Sequence, residues 1–368
     1  MEIQRALAEE RHARELAALV AADTGSRPPG WRLSPRAVVD FIVGLARPIA
    51  HPDGELVQVE RKFYGDDALV ERAVITLTTS RGLMLVGEPG TAKTMLSELL
   101  AAAISADSTL AIQGSAGTTE DQVRYGWNYA ALLASGPSMS ALVPAPLYLA
   151  MEQGLLVRFE EITRCAPEVQ DVLLSPLSDR LLLIPELAGA ERIVQARVGF
   201  NVIGTANTRD RGVSDMSAAL KRRFNFETVR PIRDLKLEVE LVLQNTNRAL
   251  AEIAVPVRLE EDVARLLVTT FQELREGITR EGDRVDCPTT PMSTAEAVAV
   301  ATSSGCHAHF LGSGQIRPDD LVRYLMGTVL KDDPEDRERL VNYFERIAKR
   351  RAKDNPLWKE WSDAKKWL

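Results

Sequence analysis

Short apolar runs alternate with helix-like patterns over residues 61–232. Four of these runs are rich in aliphatic and β-branched residues and are bounded by glycine or polar residues, which is typical of buried strands. They are GLMLVG (82–87), TLAIQG (109–114), LLVRF (155–159) and FNVIGTA (200–206). A fifth run, FNFETV (224–229), closes the set. Since each of the first four is followed by a plausible crossover, the pattern predicts a five-stranded parallel sheet in a three-layer α/β sandwich.

Changes in composition divide the chain into four predicted parts. An N-terminal helical lead segment is expected first, then the α/β core, then an all-helical domain with periodicity almost throughout, and finally a tail dense in mixed charge. Their predicted boundaries are 1–60, 61–232, 233–330 and 331–368. The tail holds three of the five tryptophans, which are costly to leave in water and are expected to dock on the helical domain or on a partner.

Composition and charge exclude several classes of protein. With 368 residues, 45% hydrophobic and 26% charged, the chain can bury a sizeable core and cannot be wholly disordered. Its net charge of −7 argues against a general attraction to nucleic acid. The basic run KRRAK (349–353) is flanked by Glu345 and Asp354, which favours a solvated helix face over a nucleic-acid patch.

Cysteine usage and hydropathy indicate an intracellular protein. The three cysteines are far apart and odd in number, as expected of reduced thiols in the cytoplasm. The N-terminal stretch is charged throughout and lacks the apolar segment of a signal peptide. The one long uncharged stretch, 125–151, contains prolines at 137, 144 and 146, so it cannot form a continuous membrane helix.

A phosphate-binding loop is predicted directly after the first strand. The segment Gly87-Glu88-Pro89-Gly90-Thr91-Ala92-Lys93-Thr94 joins that strand to the helix MLSELLAAA. Such a loop turns backbone N–H groups and a helix N-terminus toward one point, which suits a polyphosphate. Lys93 is expected to reach the β- and γ-phosphates and Thr94 to hold Mg²⁺. The strict pattern has glycine where Ala92 stands, but the order of strand, loop and helix supports the assignment over an ordinary turn.

Two further groups of polar residues follow later strands. In a P-loop ATPase, the first acid of a pair such as Glu160-Glu161 holds the magnesium shell and the second polarises the attacking water. Asn207 at the next strand tip could orient that water, whereas the alternative is a simple turn former. Arg222 and Arg223 end a short helix, where one could stabilise phosphoryl-transfer charge in a neighbouring subunit and the other complement the helix C-terminus.

Together these segments resemble the MoxR type of AAA+ ATPase. GEPGTAKT resembles the alanine-containing phosphate loop of that family, FEEITRCAPEVQDVLLSPLSDRLLLI its second acidic motif, and GTANTRDRGVSDMSAALKRRF its sensor and arginine-finger stretch. The resemblance covers roughly 61–330, and the two ends of the chain are closer to the YehL subgroup. It implies ATP and Mg²⁺ as cofactors, a homo-oligomeric ring that is usually hexameric, Arg223 or Arg222 acting across the subunit interface, and a helical lid.

The sequence departs from the family pattern in two places that affect function. Glu160 replaces the expected aspartate, which puts the hydrolysis rate or the metal preference in question. Thr290-Pro291-Met292 stands where members often carry an arginine sensor after Ser-Pro, so this sensor is missing or is replaced by another arginine such as Arg317. In the family, the region of residues 125–151 carries an insert, whose aromatic residues either grip a partner or pack in the core.

The favoured hypothesis is a cytoplasmic Mg²⁺-ATP hydrolase that remodels or matures a protein client. The resemblance further suggests a partner with a von Willebrand factor A domain. One alternative is a nucleotide-dependent motor of DNA restriction or remodelling, similar to the McrB type, which would need a basic pore or a DNA-binding appendage. Another is an ATP-gated assembly scaffold with little turnover, motivated by Glu160.

Overall fold

A computed structural model describes residues 5–207, 216–331 and 333–368. The chain forms two compact units. The first contains residues 1–87 and 92–229, and the second contains residues 88–91 and 230–368. Residues 208–215, which belong to the predicted sensor and arginine-finger stretch, lie outside the described residues.

The first unit is built on the five-stranded parallel sheet that the sequence predicts. Its strands, in chain order, are Gly82–Gly87, Ala111–Gln113, Leu156–Glu160, Asn201–Asn207 and Phe224–Val229. Across the sheet the order is fifth, first, fourth, third and second, with all neighbours parallel. The order places the first, fourth and third strands side by side, so that the residues at their carboxyl ends share one edge of the sheet.

Alternate residues of the central strands enter two different cores, as the two-residue period of a strand requires. Leu83, Leu85 and Ile203 pack into one core, which also holds the buried faces of the N-terminal helices and of the helix after the first strand. Met84 and Val202 pack into the other core. Helices therefore cover both faces of the sheet, which confirms the predicted three-layer α/β sandwich.

The remaining elements of the first unit, over the residues that the structure describes, are helices and three small antiparallel hairpins. The helices are Ala8–Arg11, Ala13–Ala22, Pro35–Val43, Asp67–Leu77, Lys93–Ser105, Glu120–Val123, Tyr129–Ser135, Pro146–Gln153, Pro167–Asp171, Leu174–Ser178 and Ala218–Lys221, with single 3₁₀ turns over Ile162–Arg164 and Gly189–Arg192. The hairpins pair Ile49–Ala50 with Leu56–Val57, Tyr125–Trp127 with Leu142–Pro144, and Leu181–Leu183 with Ile193–Gln195. The hydrophobic pattern of the sequence predicts none of these three hairpins.

The uncharged stretch forms the second hairpin, a helix at its tip, and the helix Pro146–Gln153. Tyr125, Leu142 and Tyr148 are buried and belong to one of the sheet's cores. Tyr129, on the helix at the tip, is 70% exposed. Packing in the core is therefore confirmed for these three residues, whereas contact with a partner stays a prediction for the exposed Tyr129. Among the described residues, no helix combines the length and apolar character needed to cross a bilayer.

The second unit is helical, as predicted for the lid. Its helices are Leu235–Glu252, Glu261–Glu276, Thr294–Phe310, Pro318–Thr328, Pro334–Tyr343, Lys349–Arg351 and Pro356–Asp363, with a π-helical turn over Phe344–Ala348 and a 3₁₀ turn over Ala364–Trp367. The first of these helices carries Glu238, which is buried. Its carboxylate accepts bonds from Gln272 at 2.6 Å, Thr294 at 2.7 Å and Arg275 at 2.9 Å. This network joins three helices of the lid.

The tail completes the core of the second unit. Trp361 is fully buried and stacks on Phe344, with ring centroids 5.4 Å apart. The guanidinium of Arg323 lies 4.0 Å from the centroid of the Trp367 ring. The Arg323 contact, and the core that Trp361 shares with Leu267 and Leu321, confirm that tryptophans of the tail dock on the helical domain.

The predicted solvated face of KRRAK is wrong for Arg351. This side chain is largely buried and donates two hydrogen bonds to the carboxylate of Glu273, at 2.7 and 3.0 Å. Glu273 is itself buried, so the arginine supplies the opposite charge that a carboxylate needs in an apolar environment. Arg351 also contacts Glu281 and lies 4.6 Å from the ring centroid of Trp358. It therefore fastens the tail to the lid.

Candidate functional site

The predicted phosphate loop joins the first strand to the helix Lys93–Ser105. Lys93 is the first residue of this helix and is only 7% exposed, and its ammonium donates to the carbonyl oxygen of Gly87 at 3.1 Å. Within the loop, the Thr91 hydroxyl donates to the carbonyl oxygen of Glu88 at 2.8 Å. The lysine is thus held beside the first residue of the loop, at a helix N-terminus that favours negatively charged ligands.

Ala92 has a backbone conformation that explains why the strict motif has glycine at this position. Its φ of 67° and ψ of 24° are left-handed, and it forms the N-cap of the following helix. A residue with a side chain pays about 1–2 kcal/mol to adopt this conformation, whereas glycine adopts it freely. Alanine, the smallest chiral residue, tolerates the position with the least added bulk. Ala92 therefore adopts a backbone conformation that glycine reaches more easily.

Glu160 lies at the end of the third strand and is 3% exposed. Its Oε2 atom accepts hydrogen bonds from the Thr94 hydroxyl at 2.9 Å and from the Thr205 hydroxyl at 2.8 Å. Its Oε1 atom accepts bonds from Ser97 and from the guanidinium of Arg158. The predicted partners Thr94 and Glu160 are thus in direct contact, and the buried carboxylate is satisfied at both oxygens.

Glu161 follows with a left-handed backbone, φ 53° and ψ 42°. Its N–H donates to the Thr205 hydroxyl at 2.9 Å, so one threonine contacts both glutamates. A Cβ at Gly114 would come within 2.4 Å of the carbonyl oxygen of Glu161, so only glycine fits beside it. The Glu161 carboxylate is partly exposed and pairs with Arg164 at 2.6 Å. Its backbone is therefore fixed, while its side chain remains accessible at the edge of the sheet.

Asn207 ends the fourth strand at the same edge. In the parallel register it lies opposite Gly87, the first residue of the phosphate loop. Two residues earlier on the strand, Thr205 contacts Glu160 and Glu161. The register of the parallel strands thus places the predicted sensor amide at the sheet edge that carries the phosphate loop and the acidic pair.

The two predicted arginines have different surroundings. Arg223 donates to the carbonyl oxygen of Ala219 at 2.6 Å and to the Ser178 hydroxyl. Arg222 is exposed at the C-cap of Ala218–Lys221, and its side chain has no hydrogen bond or ion pair with any other residue that the structure describes. Arg223 is therefore engaged by other residues of the chain, whereas Arg222 extends into solvent.

Four residues of this cluster escaped the sequence analysis: Ser97, Arg158, Arg164 and Thr205. Of these four, only Arg158 could have been found from the sequence, because a charged residue inside an otherwise apolar buried strand requires a partner. Ser97 lies three residues after Thr94 on one helix face, a spacing that has meaning only once the facing strand is known. The hydroxyl of Thr205 resembles that of any other strand threonine until its contacts are seen.

Two family models match the chain. The model of an AAA domain of the dynein-related subfamily matches residues 82–224. The model of the YehL-like AAA+ ATPase C-terminal domain matches residues 236–368. The two matches cover the first four strands of the central sheet, the candidate site and most of the helical second unit.

Individual proteins give similarities of different strength. YehL of Escherichia coli strain K12 is 53% identical over 343 residues, which are 93% of this chain and 92% of that protein. YojN of Bacillus subtilis strain 168 is 26% identical over 189 residues, 49% of this chain and 58% of the relative. Among solved structures, NtrX from Brucella abortus in complex with ADP aligns with a TM-score of 0.49 and 13% identity, over 83% of this chain and 64% of that one.

Proposed function

The chain belongs to the YehL-like AAA+ ATPases, and from this premise we propose that it hydrolyses ATP with Mg²⁺ at the edge of the sheet formed by Lys93, Thr94, Glu160, Glu161 and Asn207. The observation that carries the proposal is the hydrogen bond between the Thr94 hydroxyl and the buried Glu160 carboxylate. It joins a phosphate loop to an acidic strand end, which is the arrangement that P-loop NTPases use to hold the metal.

The oxygen donors at this position fit Mg²⁺. This ion prefers hard oxygen ligands and is held by one or two protein groups together with substrate phosphates and water. Thr94 would hold it directly and Glu160 would support its shell, and the bound ion would neutralise charge on the β- and γ-phosphates. Lys93 would bind the same phosphates, and the residues of the loop from Gly87 to Ala92, except Pro89, would supply backbone N–H groups.

Hydrolysis needs a base and an oriented water. Glu161 would take a proton from water as the water oxygen attacks the γ-phosphorus and the bond to the β-phosphate oxygen breaks, which releases ADP and inorganic phosphate. The amide of Asn207 would orient this water. Arg164 lies 2.6 Å from Oε2 of Glu161, so this ion pair would have to open for that oxygen to reach the water.

The proposal includes a homo-oligomeric ring, a hexamer by resemblance, in which an arginine of one subunit completes the neighbour's site. Arg222 is the better placed of the two candidates, since Arg223 already makes hydrogen bonds within its own subunit. ATP turnover in the ring would drive the remodelling or maturation of a protein client in the cytoplasm. A client with a von Willebrand factor A domain remains a prediction from the resemblance.

Light scattering and phosphate release together test the proposal. Wild type and Glu161→Gln are compared with ADP and with ATP, each with Mg²⁺. We expect an ATP-dependent ring in both proteins and phosphate release in the wild type alone. A chain that stays monomeric with ATP would contradict the ring. If duplex DNA bound at physiological salt and stimulated ATP turnover, the DNA-motor alternative would be supported instead.

A further inference from the structure

Arg158 is a charged residue inside the buried third strand, Leu156–Glu160. It is only 8% exposed. Residues two apart on a strand point to the same face, so Arg158 and Glu160 lie side by side. Both side chains reach Ser97, on the helix Lys93–Ser105 that begins at the phosphate loop.

The guanidinium is held at both ends. Its Nη1 donates to the carbonyl oxygen of Ser108 at 2.8 Å, which fixes it to the segment that follows the helix. Its Nη2 and Nε donate to Glu160 Oε1 at 3.1 and 3.2 Å, and Nε also lies 3.2 Å from the Ser97 hydroxyl. An arginine has a rigid planar fork of donors, so these contacts fix both its position and its orientation.

The two oxygens of the Glu160 carboxylate have different hydrogen-bond partners. Arg158 and Ser97 occupy Oε1, whereas Oε2 is bonded to Thr94 and Thr205. A glutamate has one more rotatable bond than the aspartate expected at this position, so it needs an additional restraint to present one oxygen in a single place. The arginine provides that restraint from the same strand.

We propose that Arg158 is a positioning residue that fixes Glu160, so that this longer acid presents Oε2 to Thr94 in place of the expected aspartate. This inference rests on the proposed function, because it concerns the residues that would support Mg²⁺. Arg158 itself does not contact the metal or the phosphates in this scheme. Its effect reaches the site only through the carboxylate.

The experiment compares nucleotide affinity with and without metal. The dissociation constant of mant-ADP is measured in EDTA and in excess Mg²⁺, and the ratio of the two reports the contribution of the metal. This ratio does not depend on hydrolysis. A chain that binds mant-ADP but releases no phosphate from ATP would contradict the proposed function while the test of Arg158 still applies.

Arg158→Met removes every donor at similar length. We expect its affinity for mant-ADP in EDTA to stay within about twofold of wild type. The metal-dependent ratio, which is the dissociation constant in EDTA divided by that in Mg²⁺, should fall about tenfold, roughly the effect of one charge-assisted hydrogen bond. Arg158→Lys keeps the charge but lacks the fork, so we expect it to fold and to lose most of the same ratio. An unchanged ratio in the lysine variant, or in a folded methionine variant, would overturn the proposal.

Arg180→Met is the matched control. Arg180 is half-buried in the same unit and donates to the carbonyl oxygens of Ser80 and Phe200, which precede the first and fourth strands. It therefore lies at the opposite edge of the sheet. We expect the control to lower the thermal unfolding midpoint and to keep the wild-type ratio. A loss of ratio in the control equal to that in Arg158→Met would show a general structural effect and would contradict positioning.

Glu160→Asp distinguishes positioning by Arg158 from the alternative that aspartate is simply the better residue at this position. If aspartate were merely the better ligand, this substitution would raise the metal-dependent ratio. In the structure the acid spans from Arg158 to Thr94, and a side chain shorter by one methylene cannot keep both contacts. We therefore expect the ratio to fall, and a rise would overturn the proposal.

Discussion

The Thr94 hydroxyl donates to Oε2 of Glu160 across 2.9 Å, in a contact that joins the start of the phosphate-loop helix to the end of the third strand. The two residues are 66 positions apart in the chain. Their contact depends on the parallel sheet, which brings the carboxyl end of the third strand to the edge where the loop begins. It is the structural basis for treating the two motifs as one site.

Removal of this hydroxyl tests the contact directly. Thr94→Ala leaves one donor fewer on Glu160 and removes a metal ligand, so we expect metal-dependent tightening of mant-ADP to be lost by about tenfold or more. Thr94→Ser retains the hydroxyl and serves as the control, with an expected ratio within about threefold of wild type. Equal affinities for the alanine and serine variants in Mg²⁺ would refute the role of Thr94.

The left-handed backbone of Ala92 predicts an effect on stability. Ala92→Gly relieves about 1–2 kcal/mol of backbone strain but increases the entropy of the unfolded chain, so we expect a net gain of about 0–1 kcal/mol in the free energy of unfolding. Ala92→Val places a β-branched side chain at the same φ and is expected to cost about 1–2 kcal/mol. Urea unfolding measures both. A glycine variant less stable than wild type by more than about 1 kcal/mol would be inconsistent with the strain.

The accessibility of Arg222 predicts complementation between subunits. Glu161→Gln lacks the base but supplies an intact Arg222, whereas Arg222→Ala lacks the arginine but supplies an intact base. We expect each variant alone to lose at least about 90% of turnover and a mixture to regain part of it, since a mixed interface combines both intact groups. Arg223→Ala is the comparison, because it breaks contacts within its own subunit. Recovery with Arg223→Ala but not with Arg222→Ala would assign the role to Arg223.

The Arg351 cluster predicts how the second unit responds to mutation. Arg351→Ala leaves the buried Glu273 without its cationic partner, so we expect a loss of about 3–5 kcal/mol in the free energy of unfolding. Glu281→Gln removes a partner that is nearly half exposed, and should cost no more than about 1 kcal/mol. Tryptophan fluorescence during urea unfolding reports both, because Trp358 lies against Arg351. Equal losses in the two variants would contradict the assignment of Glu273 as the buried anchor.

The same cluster gives a pH dependence with a definite sign. The hydrogen bond from Arg351 lowers the pKa of Glu281 from 4.5 to about 2. Its contribution to stability is therefore complete above pH 4.5 and is lost as the pH falls toward 2. The difference in unfolding free energy between wild type and Glu281→Gln should shrink over this interval. A difference that grows on acidification would show the opposite sign and would contradict the ion pair.

The parts of the fold that the sequence predicts are those with strong local signals. The five central strands are short aliphatic runs between polar boundaries, and their predicted ends differ from the observed ends by at most two residues. The phosphate loop and Glu160 could be found because each follows directly on such a strand. Their contact then follows from the parallel topology, which the alternation of strands and helices already indicates.

Long-range partners could not be predicted in the same way. The sequence shows that Arg158 is out of place in an apolar strand, but it does not show that Ser97 and Ser108 would contact it. For Arg351, the neighbouring charges favoured a solvated face, whereas its main partner Glu273 is 78 residues away. Local charge patterns indicate solvent exposure only when no distant buried carboxylate needs a cation.

ATP hydrolysis at this site is tested most directly by phosphate release from ATP. Wild type and Glu161→Gln are compared in excess Mg²⁺ and at a concentration where the oligomer forms. Glu191→Gln, which changes an exposed glutamate outside the candidate site, is the matched control. We expect steady turnover in the wild type and the control, and a rate at least about 100-fold lower in Glu161→Gln with ATP binding retained. A wild-type rate no higher than that of Glu161→Gln would contradict hydrolysis at this site and would favour the ATP-gated scaffold.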